Sequence, residues 1–269
     1  MKITALNPFQ IFLDIWRHRY LLGQLVKRDV LLRYRGAMLG VLWIFLSPLL
    51  MLSIFAFIFG QVFHARWPQE HGALPFWLVL YSGLITFNIF AETVARAPMS
   101  VRGNPNFVKK IVFPVHILPM VPLGVALVHG TFNFLLMLAA LAGTGTLTLQ
   151  ALTFPLLLLP VLFLALGLSW FVAAWGVFIK DITQVVPMLT QMLLFLSPVF
   201  YPVSAVPAFL QPFYRFNALG IVIETSRAVI VGQPVLWSAW GLAFVACFGV
   251  LLLGYAFFQY SRGEFADVL

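Results

Sequence analysis

The 69-residue stretch from Ile111 to Ile179 reads IVFPVHILPMVPLGVALVHGTFNFLLMLAALAGTGTLTLQALTFPLLLLPVLFLALGLSWFVAAWGVFI and holds no Asp, Glu, Lys or Arg. A membrane-spanning helix needs about 20 predominantly apolar residues, so this stretch is long enough for two. The segment Gly143–Gln150 in its middle is polar and contains glycine, as is typical of a turn. The stretch therefore predicts two membrane spans joined by a short turn.

Charge-free stretches on either side of this one indicate further spans. They are Gly36–Ala65, His71–Ala91, Ile182–Tyr214 and Ala228–Ser261. Together with the central pair they predict an all-α polytopic membrane protein with six transmembrane helices. The predicted spans lie near Gly36–Phe63, Ala73–Ala95, Pro114–Ala142, Phe154–Ile179, Val185–Tyr201 and Val235–Tyr260.

The composition excludes a water-soluble globule. Hydrophobic residues make up 62% of the chain and charged residues only 9%, whereas a soluble domain has about 25% charged residues. The net charge of +8 does not indicate nucleic-acid binding, because the basic residues flank the apolar stretches and no separate polar domain carries them.

The distribution of basic residues predicts the orientation in the membrane. With the N-terminus inside, only Arg66, Arg215 and Arg227 fall outside, and 13 basic residues fall in cytoplasmic segments. Lys and Arg are retained on the cytoplasmic side during insertion, so both termini are expected in the cytoplasm. The 13 residues are Lys2, Arg17, Arg19, Lys27, Arg28, Arg33, Arg35, Arg96, Arg102, Lys109, Lys110, Lys180 and Arg262.

The N-terminal segment, residues 1–35, is predicted to be an amphipathic helix in the membrane interface. Asn7 is a good N-cap and Pro8 suits the first helical position, and the helix is expected to run to Tyr34. Basic residues accompany an apolar set at helical spacing. The apolar set is Phe9, Phe12, Leu13, Trp16 and Tyr20. The alternative is a basic flank that only fixes topology.

Residues 96–114 form a cytoplasmic segment with four basic residues and no acidic ones. Asn104 and Pro105 are expected to start a helix of about two turns, and Pro114 to stop it. A helix of this length is unstable alone in water. Its apolar residues Phe107 and Ile111, which are four residues apart, therefore need a surface to dock on. A partner protein would supply that surface; the alternative is a loop whose lysines only enforce topology.

Residues 202–234 are expected outside the membrane, as short helices that re-enter the outer leaflet. Pro207, Pro212 and Gly220 break an apolar stretch, and irregular backbone at membrane depth survives only beside protein or water. Glu224 and Arg227 are three residues apart and are expected to pair on a helix, in a structural role or in contact with substrate.

Several kinds of chemistry are missing from the sequence. No Gly-x-x-x-x-Gly-Lys-Ser/Thr motif occurs, so the chain does not bind ATP through a phosphate loop of its own. Its five histidines show no metal-ligand spacing, and Cys247 has no cysteine partner. The sequence predicts no catalytic residue, no metal site and no cofactor in this chain. Because mid-span acids of the kind that serve ion relays are almost absent, energy is expected from another subunit.

Several motifs, in order along nearly the whole chain, resemble the ABC-2 type permeases of bacterial O-antigen and related surface-polysaccharide exporters. The motifs are RYRGAMLGVLWIFLSPLL at 33–50, GNPNFVKKIVFP at 103–114, KDITQVVPMLTQ at 180–191, LSPVFYP at 196–202, FNALG at 216–220 and EFADV at 264–268. The chain departs from the family pattern at Val115 and His116, where an arginine often follows the proline.

The resemblance implies one ABC-2 transmembrane domain over residues 1–269, with a six-span bundle at 36–260 and a cytoplasmic tail at 261–269. It also implies a homodimer joined to two ATP-binding subunits, which bind ATP and Mg²⁺. The assembly would move a lipid-linked polysaccharide across the inner membrane. The segment that couples to the ATPase would contain Asn104, Pro105, Phe107, Lys109, Lys110 and Ile111.

Candidate pathway residues follow from helical phase. In span one Phe45, Phe55, Phe59 and Phe63 share a face, which is expected to line a lumen or to face lipid. In span five the shared face carries Gln184, Met188, Gln191 and Phe195. The cluster Arg33, Tyr34 and Arg35 would bind a lipid pyrophosphate through charge-assisted hydrogen bonds, or would serve topology alone.

Two other classes of function remain open on the sequence. One is an ABC-2 exporter of another cargo, such as teichoic acid, capsule, lipid or drug. The other is an ion-coupled secondary transporter or a polytopic membrane enzyme. Dependence of transport on a co-purifying ATPase separates the two classes.

Overall fold

A computed structural model describes residues 8–62, 74–109 and 113–269, and within these ranges all regular elements are helical. The α-helices are α1 Pro8–Arg17, α2 Arg19–Tyr34, α3 Trp43–Phe55, α4 Phe76–Arg102, α5 Pro105–Lys109, α6 Val121–Gly143, α7 Phe154–Leu157, α8 Leu159–Phe178, α9 Ile182–Leu196, α10 Gln211–Phe216, α11 Ala218–Val231, α12 Trp237–Ser261 and α13 Phe265–Val268. Predictions made for Lys2, Asn7, Phe63, Arg66, Lys110 and Ile111 lie outside the described residues.

Five helical segments of the described chain are long and apolar enough to cross a membrane. They are Gly40–Phe59, Phe76–Arg102, Val115–Gly143, Leu149–Phe178 and Trp237–Val268. Each corresponds to one of the six predicted spans. The remaining predicted span is α9, whose 15 residues extend about 22 Å at 1.5 Å per residue, less than the hydrocarbon thickness of about 30 Å. The six-span count therefore stays a prediction.

Helix α4 lies at the centre of the bundle. It packs against α6, α8, α9 and α11, and nearly every residue from Leu78 to Phe90 is buried. A helix that is apolar all round is buried on all sides. The helix also continues to Arg102, seven residues beyond the predicted end of span two at Ala95, so Arg96 and Arg102 lie on a helix where the sequence analysis placed a segment outside the span.

The N-terminal segment begins a helix at Pro8, as predicted, but it forms two helices instead of one. The helices α1 and α2 are separated at His18. Helix α1 buries Ile11 and exposes Phe12, Leu13 and Trp16, as expected for a helix in the membrane interface. Helix α2 packs against α6 and buries Leu25 and Val30, so its apolar residues serve the bundle.

The two ends of the chain meet at one end of the bundle. The hydroxyl of Tyr255 on α12 donates to Asp14 Oδ2 on α1 at 2.9 Å. Helix α13 packs against α5, and Phe265 contacts Phe178 at the end of α8. This end is the one that the distribution of basic residues assigns to the cytoplasm.

The segment predicted to re-enter the membrane is largely helical and packed. Helix α11 contacts α4 and α12 and buries most of its residues. Asn217 caps α11, where its side-chain oxygen accepts from the backbone N–H of Gly220 at 3.2 Å. The helix ends at Gly232, which has a φ of 77°, a conformation that glycine adopts without strain. The segment therefore belongs to the bundle and does not form a polar loop.

Helices α8 and α12 approach each other through glycines. A Cβ atom at Gly254 would overlap the carbonyl oxygen of Gly167, and one at Gly167 would lie 2.6 Å from the carbonyl oxygen of Val250. Small residues allow helix backbones in a membrane to approach closely and gain van der Waals contact. This contact fixes the last helix of the bundle against α8.

We expect Gly254→Ala to destabilise the protein by about 1–3 kcal/mol, because the added methyl group forces α12 away from α8. Gly249→Ala is the matched control: it lies on the same helix, a Cβ there meets nothing within 4 Å, and alanine favours the helix by roughly 1 kcal/mol over glycine. Thermal unfolding of the purified proteins measures both. Equal loss of stability in the two variants would contradict the close approach.

Candidate functional site

A cavity of 720 Å³ opens between α3, α4 and α6. Apolar side chains form most of its wall, including Trp43, Met51 and Phe55 from α3. Leu194 of α9 and Phe200 also line the cavity. The volume lies within the range of about 300–1,000 Å³ that is usual for small-molecule sites.

Charged residues gather at the end of the cavity nearest α2. Glu92 on α4 pairs with Arg33 on α2, and Arg96 Nε lies 3.7 Å from the same carboxylate oxygen. The Glu92 side chain is 17% exposed, whereas the two arginine side chains are 39% and 41% exposed. One largely buried carboxylate therefore holds two half-exposed guanidinium groups, and the three side chains together carry a net positive charge.

His129 on α6 connects this cluster to Tyr34. Its Nδ1 lies 2.8 Å from Glu92 Oε2, and its Nε2 lies 3.2 Å from the Tyr34 hydroxyl. Burial raises the pKa of the Tyr34 phenol, so the hydroxyl stays protonated at neutral pH and is able to donate. The Tyr34 hydroxyl is placed to donate to Nε2, while Nδ1 faces Glu92 and also lies 3.1 Å from Arg33 Nη1.

A second polar pair lies further along the same helices, about three turns from Glu92 on α4 and one turn from His129 on α6. The hydroxyl of Tyr81 on α4 donates to Asn133 Oδ1 on α6 at 2.6 Å, and Asn133 Nδ2 donates to the backbone carbonyl of His129 at 2.7 Å. Both side chains line the cavity. Hydrogen-bonding groups therefore continue from the charged cluster into the apolar part.

The arrangement suits the binding of an anion. Two guanidinium groups converge on one point beside a phenolic hydroxyl, and planar guanidinium groups bind phosphate oxygens bidentately. An anion that entered would compete with Glu92 for Arg33 and Arg96.

The structure separates the predicted lipid-contact residues. Arg33 and Tyr34 line the cavity, whereas Arg35 follows α2, is exposed and does not line it. Among the described residues of the predicted span-one face, which are Phe45, Phe55 and Phe59, Phe55 alone lines the cavity. Phe45 packs on Phe132 with ring centroids 4.4 Å apart, and Phe59 contacts Phe55 and Phe76.

The predicted stripe on α9 lies on the outside of the single chain. Gln184, Met188, Gln191 and Phe195 are all exposed. The opposite face packs against α4 and buries Val186 and Thr190. The helical phase was therefore right, but these four side chains do not line the cavity, and their role as a pathway stays a prediction.

The predicted coupling helix begins at Pro105, as expected, and α5 is described to Lys109. Phe107 stacks on Phe113 with ring centroids 4.5 Å apart, and the guanidinium carbon of Arg28 on α2 lies over the Phe107 ring, 5.9 Å from its centroid. Asn104 Nδ2 donates to the backbone carbonyl of Ser100 at 2.9 Å. Phe107 is therefore half-buried within its own chain, while Lys109 is exposed.

The predicted pair of Glu224 and Arg227 forms, with Arg227 Nη1 donating to Glu224 Oε1 at 2.9 Å. Arg227 is 3% exposed, and its Nη2 donates to the backbone carbonyls of Pro198 and Val199 at 2.8 and 2.9 Å. The arginine thus ties α11 to the segment that follows α9, which favours the structural role over contact with substrate.

Comparison with known proteins identifies the class to which this architecture belongs. The ABC-2 type transporter family matches residues 20–231, a range that includes the cavity, α5 and α11. The chain belongs to the ABC-2 type transporter family. It is therefore a multi-pass membrane protein and the membrane subunit of a transport system.

Relatives within the ABC-2 family match nearly the whole chain. The O-antigen export system permease protein RfbA of Myxococcus xanthus is 28% identical over 263 residues, which cover 94% of this chain and 97% of the relative. RfbA of Klebsiella pneumoniae is 22% identical over 251 residues, which cover 93% and 95%. The polysialic acid transport protein KpsM of Escherichia coli is 29% identical over 211 residues, which cover 76% and 78%.

Sequence reasoning missed most of the charged cluster of this ABC-2 chain. Glu92 and Arg96, at i and i+4, occupy one face of a helix, and this spacing next to an apolar stretch was the available signal. His129, a lone histidine inside an apolar span, was a second signal. Their meeting with Arg33 depends on the packing of α2 against α6, which no local pattern encodes.

We expect Glu92→Gln to lower the stability of the folded protein by about 1–2 kcal/mol, because the substitution leaves Arg33 and Arg96 without their carboxylate. The loss stays below that of a fully buried ion pair because both arginine side chains are half-exposed. Asp29→Asn is the control, since its pair with Arg28 is about as exposed on both sides and is worth less than about 1 kcal/mol. Thermal unfolding measures the difference. An equal effect of the two substitutions would show that Glu92 does not hold the cluster together.

Proposed function

We propose that this chain is the permease subunit of an ATP-driven exporter that moves a lipid-linked polysaccharide from the cytoplasm across the bacterial inner membrane. The observation that carries the proposal is the near full-length similarity to permeases named for O-antigen export. The similarity to a polysialic acid transport protein supports a polysaccharide as the class of cargo. Both termini are placed in the cytoplasm.

The energy for transport comes from separate subunits in this proposal. The sequence has no Gly-x-x-x-x-Gly-Lys-Ser/Thr motif, which is the usual cradle for nucleotide phosphates. Two ABC ATP-binding subunits would bind ATP and Mg²⁺, and the permease would contribute no catalytic residue. The chain is a transport subunit and not an enzyme.

Two copies of the chain form the transport unit in this proposal. The exposed face of α9 carries the amide side chains of Gln184 and Gln191. An amide that faces hydrocarbon without a hydrogen-bond partner is costly, so this face is expected to meet protein or water. A two-fold dimer would bring Met188 and Phe195 of both copies to a central seam, where the polymer would pass.

The cavity holds only one end of the substrate. A volume of 720 Å³ suits a small molecule and is too small for a polymer. Arg33, Arg96 and Tyr34 provide cationic and hydroxyl donors for the pyrophosphate that joins the lipid to its first sugar. The apolar wall around Phe55 and Trp43 would contact the part of the lipid chain next to that pyrophosphate.

The test is export by the permease reconstituted in vesicles with its ATP-binding subunits, measured as ATP-dependent exposure of the lipid-linked polysaccharide to an added glycosidase. We expect Arg33→Gln to reduce export about tenfold or more, in line with the loss of one charge-assisted contact of about 1.5–3 kcal/mol. Arg35→Gln is the matched control, because the neighbouring arginine is exposed and does not line the cavity.

Three results would oppose the proposal. Equal losses in Arg33→Gln and Arg35→Gln would indicate that the cluster serves topology alone. Export of a non-glycosylated lipid or a drug in place of the polysaccharide would indicate an ABC-2 exporter of another cargo. Transport that persists without the ATP-binding subunits would indicate an ion-coupled transporter.

Helix α5 is the proposed contact of the permease with its ATPase. It lies beside α13 at the end of the bundle assigned to the cytoplasm. Asn104 and Pro105 set its start, Phe107 fixes it to the bundle, and Lys109 is exposed to a partner. Lys110 and Ile111 follow directly in the sequence.

We expect Phe107→Ala to reduce export about tenfold or more while ATP hydrolysis continues, because loss of the stacking on Phe113 frees α5 from the bundle. The pair Lys109→Gln with Lys110→Gln is expected to leave export within a few fold, since charges at the rim of an interface contribute little. Assembly, ATP hydrolysis and export are compared for the two variants. If the lysine pair abolishes assembly and Phe107→Ala does not alter export, docking is electrostatic and the proposed role of Phe107 is wrong.

A further inference from the structure

Three side chains with metal-binding atoms meet where the N-terminal segment contacts the bundle. Asp14 lies on α1, His18 lies between α1 and α2, and His116 lies in the 3₁₀ segment Val115–Met120 that precedes α6. One carboxylate oxygen and one ring nitrogen from each histidine all lie within 4.8 Å of one another. Because the sequence separates His116 from the other two by about 100 residues, histidine spacing gave no sign of this cluster.

His116 is buried in this cluster without a hydrogen bond. The residue is 6% exposed, and neither of its ring nitrogens has a hydrogen-bond partner. Its Nε2 lies 3.7 Å from Asp14 Oδ2, which is too long for a hydrogen bond. A buried polar group without a partner costs stability, so both nitrogens are available to bind a group placed between His116 and Asp14.

The other two side chains are already oriented by hydrogen bonds. His18 Nδ1 lies 3.0 Å from the backbone carbonyl oxygen of Asp14, so this nitrogen donates and Nε2 keeps its lone pair. The hydroxyl of Tyr255 donates to Asp14 Oδ2 at 2.9 Å. Histidines that bind a metal usually donate their second ring N–H to a backbone carbonyl or carboxylate, and carboxylate ligands are in turn hydrogen-bonded.

We propose that Asp14, His18 and His116 form a binding site for one divalent transition-metal ion such as Zn²⁺. Two imidazoles and a carboxylate are a common ligand set for Zn²⁺, with a water molecule as the fourth ligand. Metal–ligand distances of about 2.0–2.2 Å place the ligand atoms of a tetrahedral site roughly 3.4 Å apart. Closing the present separations requires movements of about 1 Å, within reach of side-chain rotation at the half-buried Asp14 and His18.

The site has a structural consequence for the N-terminal helix. Helix α1 exposes Phe12, Leu13 and Trp16, which suit the membrane interface. A metal ion shared by α1, His18 and the start of α6 would fix this helix to the bundle at one point. The ion would also fix the angle between α1 and α2, because His18 lies at their junction.

The test is the binding of Zn²⁺ alone to the full-length permease in lipid nanodiscs, purified through a tag free of histidine and stripped with EDTA. We expect one Zn²⁺ per chain by calorimetry and a rise in the unfolding temperature of about 5 °C at a hundredfold excess over Kd. His116→Gln and His18→Gln are each expected to weaken binding at least tenfold, and Tyr255→Phe about tenfold as a positioning residue. His129→Gln is the histidine control and is expected to bind Zn²⁺ as the unaltered chain does.

A variant that removes a nearby positive charge tests the site independently. Arg262 lies close enough to act electrostatically on both His116 and Tyr255, so its positive charge opposes a bound cation. Arg262→Gln is therefore expected to tighten Zn²⁺ binding severalfold, an effect that a loss of folding cannot produce.

Three outcomes would overturn the proposal. The first is no saturable Zn²⁺ binding to the unaltered chain. The second is binding that His18→Gln, at a half-buried position where the substitution is tolerated sterically, leaves unchanged. The third is equal weakening by His129→Gln, which would show that histidines bind the ion without forming a site.

Discussion

Helix α4 packs most extensively against α6, α8, α9 and α11, and the arrangement of the bundle depends on its burial. In a lipid solvent, apolar side chains gain nothing by leaving hydrocarbon, so helices associate through close packing and polar contacts. Helix α4 provides both. Its first half offers an apolar surface on every side, while its second half carries Glu92, an acidic side chain that is largely removed from solvent.

Glu92 determines which elements gather at the cavity. A carboxylate in this position is costly unless it is paired and hydrogen-bonded, and its partners come from α2, α4 and α6 as Arg33, Arg96 and His129. The same requirement makes the site responsive, because an anion that draws the arginines away leaves Glu92 with His129 alone. In the proposed function, binding of an anionic end group would therefore be linked to rearrangement of α2 through one carboxylate.

The parts of the fold that hydropathy encodes were predictable. Five apolar segments, the start of α1 at Pro8 and the pair Glu224 and Arg227 follow from local spacing, charge and capping. Tertiary packing sets three other features, which the sequence therefore did not predict. They are the break at His18, the extension of α4 to Arg102 and the shortness of α9. At the cavity, Arg33 and Tyr34 were predicted and Glu92, Arg96 and His129 were not, since their contact joins three helices that are distant in the sequence.

Helix α2 connects the proposed ATPase contact to the cavity. Arg28 lies over the ring of Phe107 on α5, and Arg33, five residues later on the same helix, pairs with Glu92. Five residues of α-helix extend about 7.5 Å and transmit a displacement with little bending. If α5 is the ATPase contact, as we propose, a push on α5 would reach the Arg33–Glu92 pair through continuous helix. An anion that released Arg33 from Glu92 would in the same way free α2 to move against α5, so in the proposed function substrate binding and ATPase docking would act on the same helix.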